Sequence, residues 1–474
     1  MESDAYHESQ IENVEGIIVL AFCHRKSVLV NDTINHRWQM LQSVLRALDV
    51  QGISWCLLHH GAALPAALTS DVDMDVDMVV SGAAIPHISG TLKHLEGIYL
   101  CQVLRYRPHA YYCVFATRQG GDFVPLAIDM ACDLREAGCL MYTGPQIIGT
   151  RRSADNGLWI PAPEIEFTAY LCKRILKSRR LGATALTDDI GTHLSQLFRG
   201  CEEAVATHLG AHWSPSSLAV ICRAAAANEW EAVRRHMDRL RADLVGTHRF
   251  RHIGAKAFFA AEELCRIVWR CRRPTGLMVA VLDVEGAGNP HVLDGLEYSL
   301  RPYFRRTARF EFRPKLLPAH AHGPHDQNTP RGRFTSLAKL AYLWIDYIAG
   351  YVLRLWPAQA ATTLVLFDRY FDDLHINPVR YYCHRIGGVA SALRRFIPQP
   401  HLIIILDARA PARAQQKSEL PGDGIHGLRT KYLGFAQRTP GCVVVNAEQP
   451  LPKVIADVTN LVADQLARRI DRYV

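Results

Sequence analysis

The residues with the clearest capacity for chemistry are four aspartates at alternate positions, Asp71, Asp73, Asp75 and Asp77, in the stretch SDVDMDVDMVV beginning at Ser70. On a strand, alternate side chains share one face, so the four carboxylates would project together. Crowded like charges repel unless cations sit among them. Hard oxygen donors at a strand end suit Mg²⁺, which takes one or two carboxylates together with phosphate oxygens and water. Two such ions can align the attacking and leaving oxygens of nucleotidyl transfer. A further carboxylate is expected from a neighbouring strand, and Pro125-Leu126-Ala127-Ile128-Asp129 supplies it. Either aspartate pair fits the metal role. Ser70 argues for Asp71 and Asp73, whereas the apolar continuation Met78-Val79-Val80 argues for Asp75 and Asp77, towards which the reading leans. Upstream, His59-His60-Gly61 closes an apolar run with a turn whose backbone N–H groups could face a triphosphate.

The elements that must position these groups follow from periodicity. Trp38 to Leu48 reads as a helix, and Ser54–Leu58, Val76–Val80 and Val124–Met130 read as strands of an α/β or α+β unit covering residues 1–163. Residues 164–272 read as a helical connector, with apolar positions recurring at three and four in Phe167–Leu176, Ile190–Phe198, Ser217–Ala227, Trp230–Leu240 and Ala255–Trp269. Lys173 and Lys177 share a helix face there. After the linker CRRPTG, the continuous apolar runs LMVAVLD, ATTLVLFD and HLIIILDA alternate with helical stretches. They predict a doubly wound α/β domain over 273–474. Ser336–Trp356 is the best membrane candidate, but Lys339, Asp346 and Arg354 interrupt it, so a buried amphipathic helix is expected. Pro314–Arg333 is rich in Pro, Gly and His without the ligand spacing of a closed metal site.

Composition sets the outer bounds. At 474 residues the chain is long enough for about three domains. With 49% apolar and 21% charged residues it is ordinary globular protein. A net charge of +8 favours anionic ligands such as nucleotides and argues against a dedicated nucleic-acid binder, whose basic residues would cluster. The 13 cysteines form no CxxC pair, as expected of reduced thiols in a cytoplasmic protein. The acidic beginning MESDAYHESQ does not read as a secretion signal. The oligomeric state stays open, a homo-oligomer included.

HHGAALPAALTSDVDMDVDMVV followed by LAIDMACDLREAG resembles the nucleotidyltransferase domains of the polymerase-beta superfamily, which carry a Gly-rich turn, an SD-x-D strand and a later Asp. The resemblance implies an NTP substrate, Mg²⁺, a small-molecule acceptor, and a helix face such as that of Lys173 and Lys177 turned towards the triphosphate. Ala62 departs from it, standing where a phosphate-touching Ser is usual. From Gly276 to the end the chain resembles the thymidylate kinase-like branch of the P-loop kinases. It matches the version fused behind a nucleotidyltransferase-like domain in bacterial surface-polysaccharide and related biosynthetic clusters. The matching segments are Phe312-Arg313-Pro314, Phe367-Asp368-Arg369-Tyr370 with Asp372 and Asp373, Asn377 to Tyr381, Ile405-Leu406-Asp407, Arg429 to Tyr432 and Val443 to Ala447.

A working phosphate loop of that family reads GxxxxGK[ST]. Here Gly286 and Gly288 remain, Asp283 replaces the first Gly, Asn289 stands at the Lys position, and Pro290-His291 replaces the Ser/Thr pair. In the lid-like stretch Gln416-Lys417, Lys417 remains while Gln416 stands where Arg is usual. Losing the Lys and the metal hydroxyl removes electrostatic stabilisation that phosphoryl transfer needs. The second domain is therefore expected to bind a nucleotide or phosphorylated ligand, through residues such as Asp368, Arg369 and Arg429, or to serve as scaffold. Two other readings stand beside the transferase: a kinase in which Lys417 or another base replaces the lost Lys, and a non-catalytic assembly protein built of two pseudoenzyme domains.

Overall fold

The computed structural model describes residues 32–59, 61–66, 68, 75–82, 87–136, 139–249, 253–283, 289–317, 333–381, 387–408 and 422–473. The fold is mixed α/β. Fourteen strands are seen among the described residues: β1 Trp55–Leu57, β2 Asp75–Val80, β3 Tyr99–Arg107, β4 Ala110–Gln119, β5 Asp122–Ala131, β6 Asp133–Glu136, β7 Cys139–Thr143, β8 Arg152–Ser153, β9 Trp159–Ile160, β10 Leu277–Asp283, β11 Arg306–Glu311, β12 Thr363–Asp368, β13 Leu402–Asp407 and β14 Cys442–Asn446. Of the described residues, those up to Leu100 with Arg105–Thr117 and Val124–Leu264 make one compact unit. Cys101–Leu104, Arg118–Phe123 and the residues from Cys265 onwards make the other.

The first sheet runs β1-β2-β5-β4-β3. Its β1 and β2 pair antiparallel, while β2 and β5 pair parallel with Asp77 opposite Asp129. Strand β2 alternates as a half-buried strand should: Val76 and Met78 are buried, Asp75 is exposed and Asp77 half-buried. The helices Pro163–Leu181, Asp188–Phe198, Glu202–Gly210, Pro215–Ala227 and Met237–Arg249 confirm the helical periodicity. Phe167, Leu171, Trp230 and Leu240 share one buried core with Cys56, Val79 and Ile147 of the sheet region, because the helices' apolar stripes have no other surface to cover. The compact division accordingly falls at Leu264.

The second sheet is wholly parallel, in the order β11-β12-β10-β13-β14. Every residue of β10 is buried, as its unbroken apolar run requires of a central strand. Connections leave β10 for β11 and β12 on one side, and β13 and β14 complete the other. Acidic side chains end four of these strands, Glu311, Asp368, Asp283 and Asp407. The segment read as a membrane candidate is helical, with Leu340, Leu343 and Tyr347 buried and Asp346 wholly buried against Arg313 at 3.0 Å. No helix among the described residues is long and apolar enough to cross a membrane. The cysteines described are free thiols.

Gly276, which leads into β10, has no room for a side chain: an added Cβ would stand 2.5 Å from Gln359 Cα and 2.6 Å from Thr363 O. Backbone cannot yield as a flexible side chain does. Gly276→Ala is expected to destabilise the second unit by about 1–3 kcal/mol. Gly388→Ala, where an added Cβ meets nothing within 4 Å, is expected to be neutral or stabilising by up to ~1 kcal/mol. Urea unfolding of the two variants beside the parent chain measures the contrast.

Candidate active site

The parallel register of β2 and β5 places Asp77 beside Asp129 on one face, with Asp75 two residues along the same strand. One carboxylate oxygen from each of the three lies within 4.8 Å of the others. Asp71, Asp73, Ser70 and His60 lie outside the described residues, so the cluster described is the Asp75/Asp77 pair with Asp129.

Four further residues shape the cluster. Lys173, in the middle of helix Pro163–Leu181, donates from Nζ to Asp77 Oδ2 at 2.8 Å. Lys177, one turn on, is exposed and adds positive charge near Asp75 and Asp77. His59 is buried, lies tilted against Tyr170 with ring centroids 4.7 Å apart, and brings Nε2 to 3.8 Å from Asp77 Oδ2. It does so from a left-handed backbone conformation, φ 52°, which a non-glycine residue adopts only when the surroundings impose it. Tyr106 on β3 reaches past β4, and its hydroxyl donates to Asp129 at 2.6 Å from Oδ1 and 2.5 Å from Oδ2.

The three acids are electrostatically unlike. Burial pushes the Asp77 carboxyl up, but Lys173 and His59 outweigh it and hold the group below the usual carboxylate range. Burial, reinforced by the charge of Asp77, pushes Asp75 up. Burial likewise raises Asp129 to about 7, with Asp77 and Asp75 adding to the effect and the Tyr106 hydrogen bond opposing it. One carboxylate is thus neutralised by Lys173, and two remain short of positive charge.

A cleft of about 150 Å³ opens beside them. Asp77, Asp129 and Lys173 line it together with Arg107, Asp133 and Arg135. Arg107 donates from Nη1 to Arg135 O at 2.9 Å, and Arg135 pairs with Asp133 at 3.4 Å. The cleft therefore offers carboxylates on one side and guanidinium groups on another, an arrangement that accommodates an anion together with its counter-cation. The donor set itself fits a divalent cation such as Mg²⁺: three carboxylate oxygens from two adjacent strands, close enough to converge, with open space for further oxygen ligands.

Gly61 lies in a short 3₁₀ turn, Gly61–Ala63, where an added Cβ would meet Ile160 Cγ2 at 2.9 Å. Its carbonyl accepts from Asn156 Nδ2 at 3.0 Å, and it is not among the cleft's lining residues. The need for glycine at 61 is thus met by close packing. Tyr106, Arg107, His109, Asp133 and Arg135 are cleft residues that sequence reading did not single out for chemistry. Nothing in YLCQVLRYR marks Tyr106, whose role depends on a contact across the sheet.

In the second unit, Arg369 takes a left-handed conformation, φ 69°, and its guanidinium sits 3.1 Å from Asp283 Oδ1. Its N–H donates to Val281 O at 2.9 Å, tying the turn after β12 to β10. Asp368 lies 4.0 Å from Arg309. Arg429 grips Asp407 with two hydrogen bonds, at 2.6 and 2.7 Å. Tyr381 and Tyr432 both donate to the buried Asp373, and Arg394 pairs with the buried Asp372. Gly286, Gly288 and Lys417 lie outside the described residues.

A scan against protein-family models gives no match, and neither does a search of the curated proteins.

His109, only 8% exposed, is held neutral: burial first, then Arg135 and Arg107, push its imidazole from 6.5 down to about 4. Because the folded value is depressed, the unfolded chain binds the proton more readily between pH 6.5 and 4. Stability is full above pH 6.5 and falls as pH drops through that window, by at most ~3 kcal/mol from this group. His109→Gln is expected to flatten that part of the profile, measured by chemical unfolding at pH 7, 5.5 and 4.5.

Proposed function

We propose that the first unit is a Mg²⁺-dependent nucleotidyltransferase of the polymerase-beta type. It would pass the nucleotidyl group of an NTP to a hydroxyl or phosphate of a small-molecule acceptor such as a sugar or metabolite. A bond forms between the acceptor oxygen and the α-phosphorus, the bond to pyrophosphate breaks, and the acceptor's proton passes to solvent or a nearby base. The observation that carries this reading is the convergence of Asp75, Asp77 and Asp129 on one face of two parallel strands beside a cleft with Arg107 and Arg135. Asp75, Asp77 and Asp129 would hold the metal, which when bound neutralises phosphate charge and aligns the reacting oxygens.

The chain's own residues supply the remaining terms. Lys173 fixes the rotamer of Asp77 and keeps it ionised. Tyr106 clamps Asp129 from across the sheet. Arg107 and Arg135 offer guanidinium groups to a polyphosphate at the cleft wall. The packed Gly61 turn and the departure at Ala62 leave phosphate binding to these side chains and to Lys177 rather than to a Gly-Ser turn.

The second unit fits the reading of a thymidylate kinase-like domain that has lost phosphoryl transfer. Its wholly parallel sheet, in the order β11-β12-β10-β13-β14, supports this reading. Asn289 and Pro290 open helix Asn289–Ser299, where the family's Lys and Ser/Thr are expected. The pairing of Arg369 with Asp283 and of Arg429 with Asp407 compensates the charges that would meet a phosphate, which supports a scaffold role over kinase activity.

Purified protein with Mg²⁺, labelled NTPs and a panel of sugars and metabolites tests the transferase. Pyrophosphate release is expected to need an acceptor, to stop in EDTA, and to fall at least ~100-fold in Asp77→Asn and Asp129→Ala. Release equal in the parent and the Asp129→Ala protein would refute the assignment and favour a non-catalytic assembly role. ATP turnover untouched by Asp77→Asn would favour the kinase reading instead.

A further inference from the structure

A separate cleft of about 620 Å³ lies within the second unit, a volume typical of small-molecule sites. Three helices build it: the end of Phe371–Ile376, the end of Gly387–Arg394, and the C-terminal half of Gly422–Arg438. Four of its lining side chains are Arg394, Arg395, Lys431 and Arg438, a fifth is His375, and none is Asp or Glu. It shares no residue with the carboxylate site or with the strand ends that carry Asp283, Asp368 and Asp407.

We infer that this cleft binds a small polyanion carrying at least two phosphate groups. Lys431, Gly434 or Phe435, and Arg438 recur at helical spacing and present one face of Gly422–Arg438 to the cleft. Arg395, Lys431 and Arg438 are exposed, and none forms an ion pair among the described residues. Arg394 is already fixed: its Nε is held by the buried Asp372, and its guanidinium lies over the Phe435 ring at 5.4 Å. A guanidinium ordered before binding loses little freedom when it takes up a phosphate. Gly434 leaves the wall open, since an added Cβ there meets nothing within 4 Å. His375 is held by Ser391 at 3.1 Å.

Helix dipoles account for a cation in the last turn of a helix, which covers Arg394 and Arg438. They do not account for Lys431, two turns earlier, or for four cations gathered around one concavity with no acid on its wall. Mutual repulsion of such a group is relieved by a multivalent anion, and planar guanidinium groups match phosphate oxygens two at a time. The concave, bounded shape favours a small molecule over an extended nucleic-acid strand.

The test is calorimetric titration of the full-length protein with inorganic pyrophosphate and, separately, ATP, in EDTA at low salt so that the carboxylate site contributes nothing metal-dependent. Saturable binding of one equivalent is expected. It should weaken at least 10-fold in Lys431→Glu/Arg438→Glu and in the milder Lys431→Gln/Arg438→Gln, with melting midpoints unchanged. Asp77→Asn and the remote charge reversal Arg199→Glu should leave it intact. Equal affinity for the two probes identifies a site that reads phosphates alone, and tighter ATP binding one that also reads the nucleoside. Absence of binding by both probes, binding indifferent to the double variants, or stronger uptake of a DNA oligonucleotide through the same residues would overturn the assignment. A failed transferase assay leaves this result unaffected.

Discussion

The adjacency of Asp77 and Asp129 in neighbouring parallel strands is the constraint around which the first unit is arranged. Two carboxylates held this close raise each other's energy in the ionised state, and half-burial removes the water that would screen them. The chain compensates only in part. Lys173 answers Asp77, Tyr106 hydrogen-bonds Asp129, and Asp75 stays at the exposed edge of the group. A fold selected for stability alone has cheaper residues for these positions. The residual imbalance faces a cleft that also carries guanidinium groups, and that pairing supports the proposed reading of the cluster.

The second unit treats its acids differently. Asp346, Asp372 and Asp373 are all but inaccessible, yet each has a cationic neighbour, in Arg313, Arg394 and Arg380 respectively. Two tyrosine hydroxyls complete the shell of Asp373. Such buried pairs fix side chains and specify packing, and removing one partner strands a buried charge. The contrast separates acids that hold the fold from acids that can engage a ligand, and it cannot be drawn from residue types alone.

Much of this was legible in the sequence where a local period governs. The alternation of Asp75 and Asp77 with Val76 and Met78 reads directly as a half-buried strand, and LMVAVLD as a central one. Asp129 could be found because it ends a short apolar run. The long strands β3 and β4 went unrecognised, although Gly120 and Gly121, at φ 57° and 97°, mark the hairpin from β4 to β5 that a Gly-Gly pair favours. Tyr106 gave no signal because its value arises from a contact spanning an intervening strand. The helices were evident from their spacing, but their shared core with the first sheet was not. It rests on tertiary packing such as that of Phe167 and Leu171 in one cluster with Cys56 and Val79. Gly286, Gly288 and the Asp71/Asp73 half of the ladder fall outside the described residues.

The alternation of Val76, Asp77 and Met78 in β2, and of Ile128, Asp129 and Met130 in β5, has a bearing on how this chain can vary. A segment added or removed in the turns flanking these strands leaves the acids where they are. A single residue gained or lost inside either strand rotates everything beyond it by half a turn, sending one aspartate into the apolar core and a valine or methionine into the cleft. Length changes within these strands are therefore tolerated only in even steps or in matched pairs, so that the two strands must drift together or not at all.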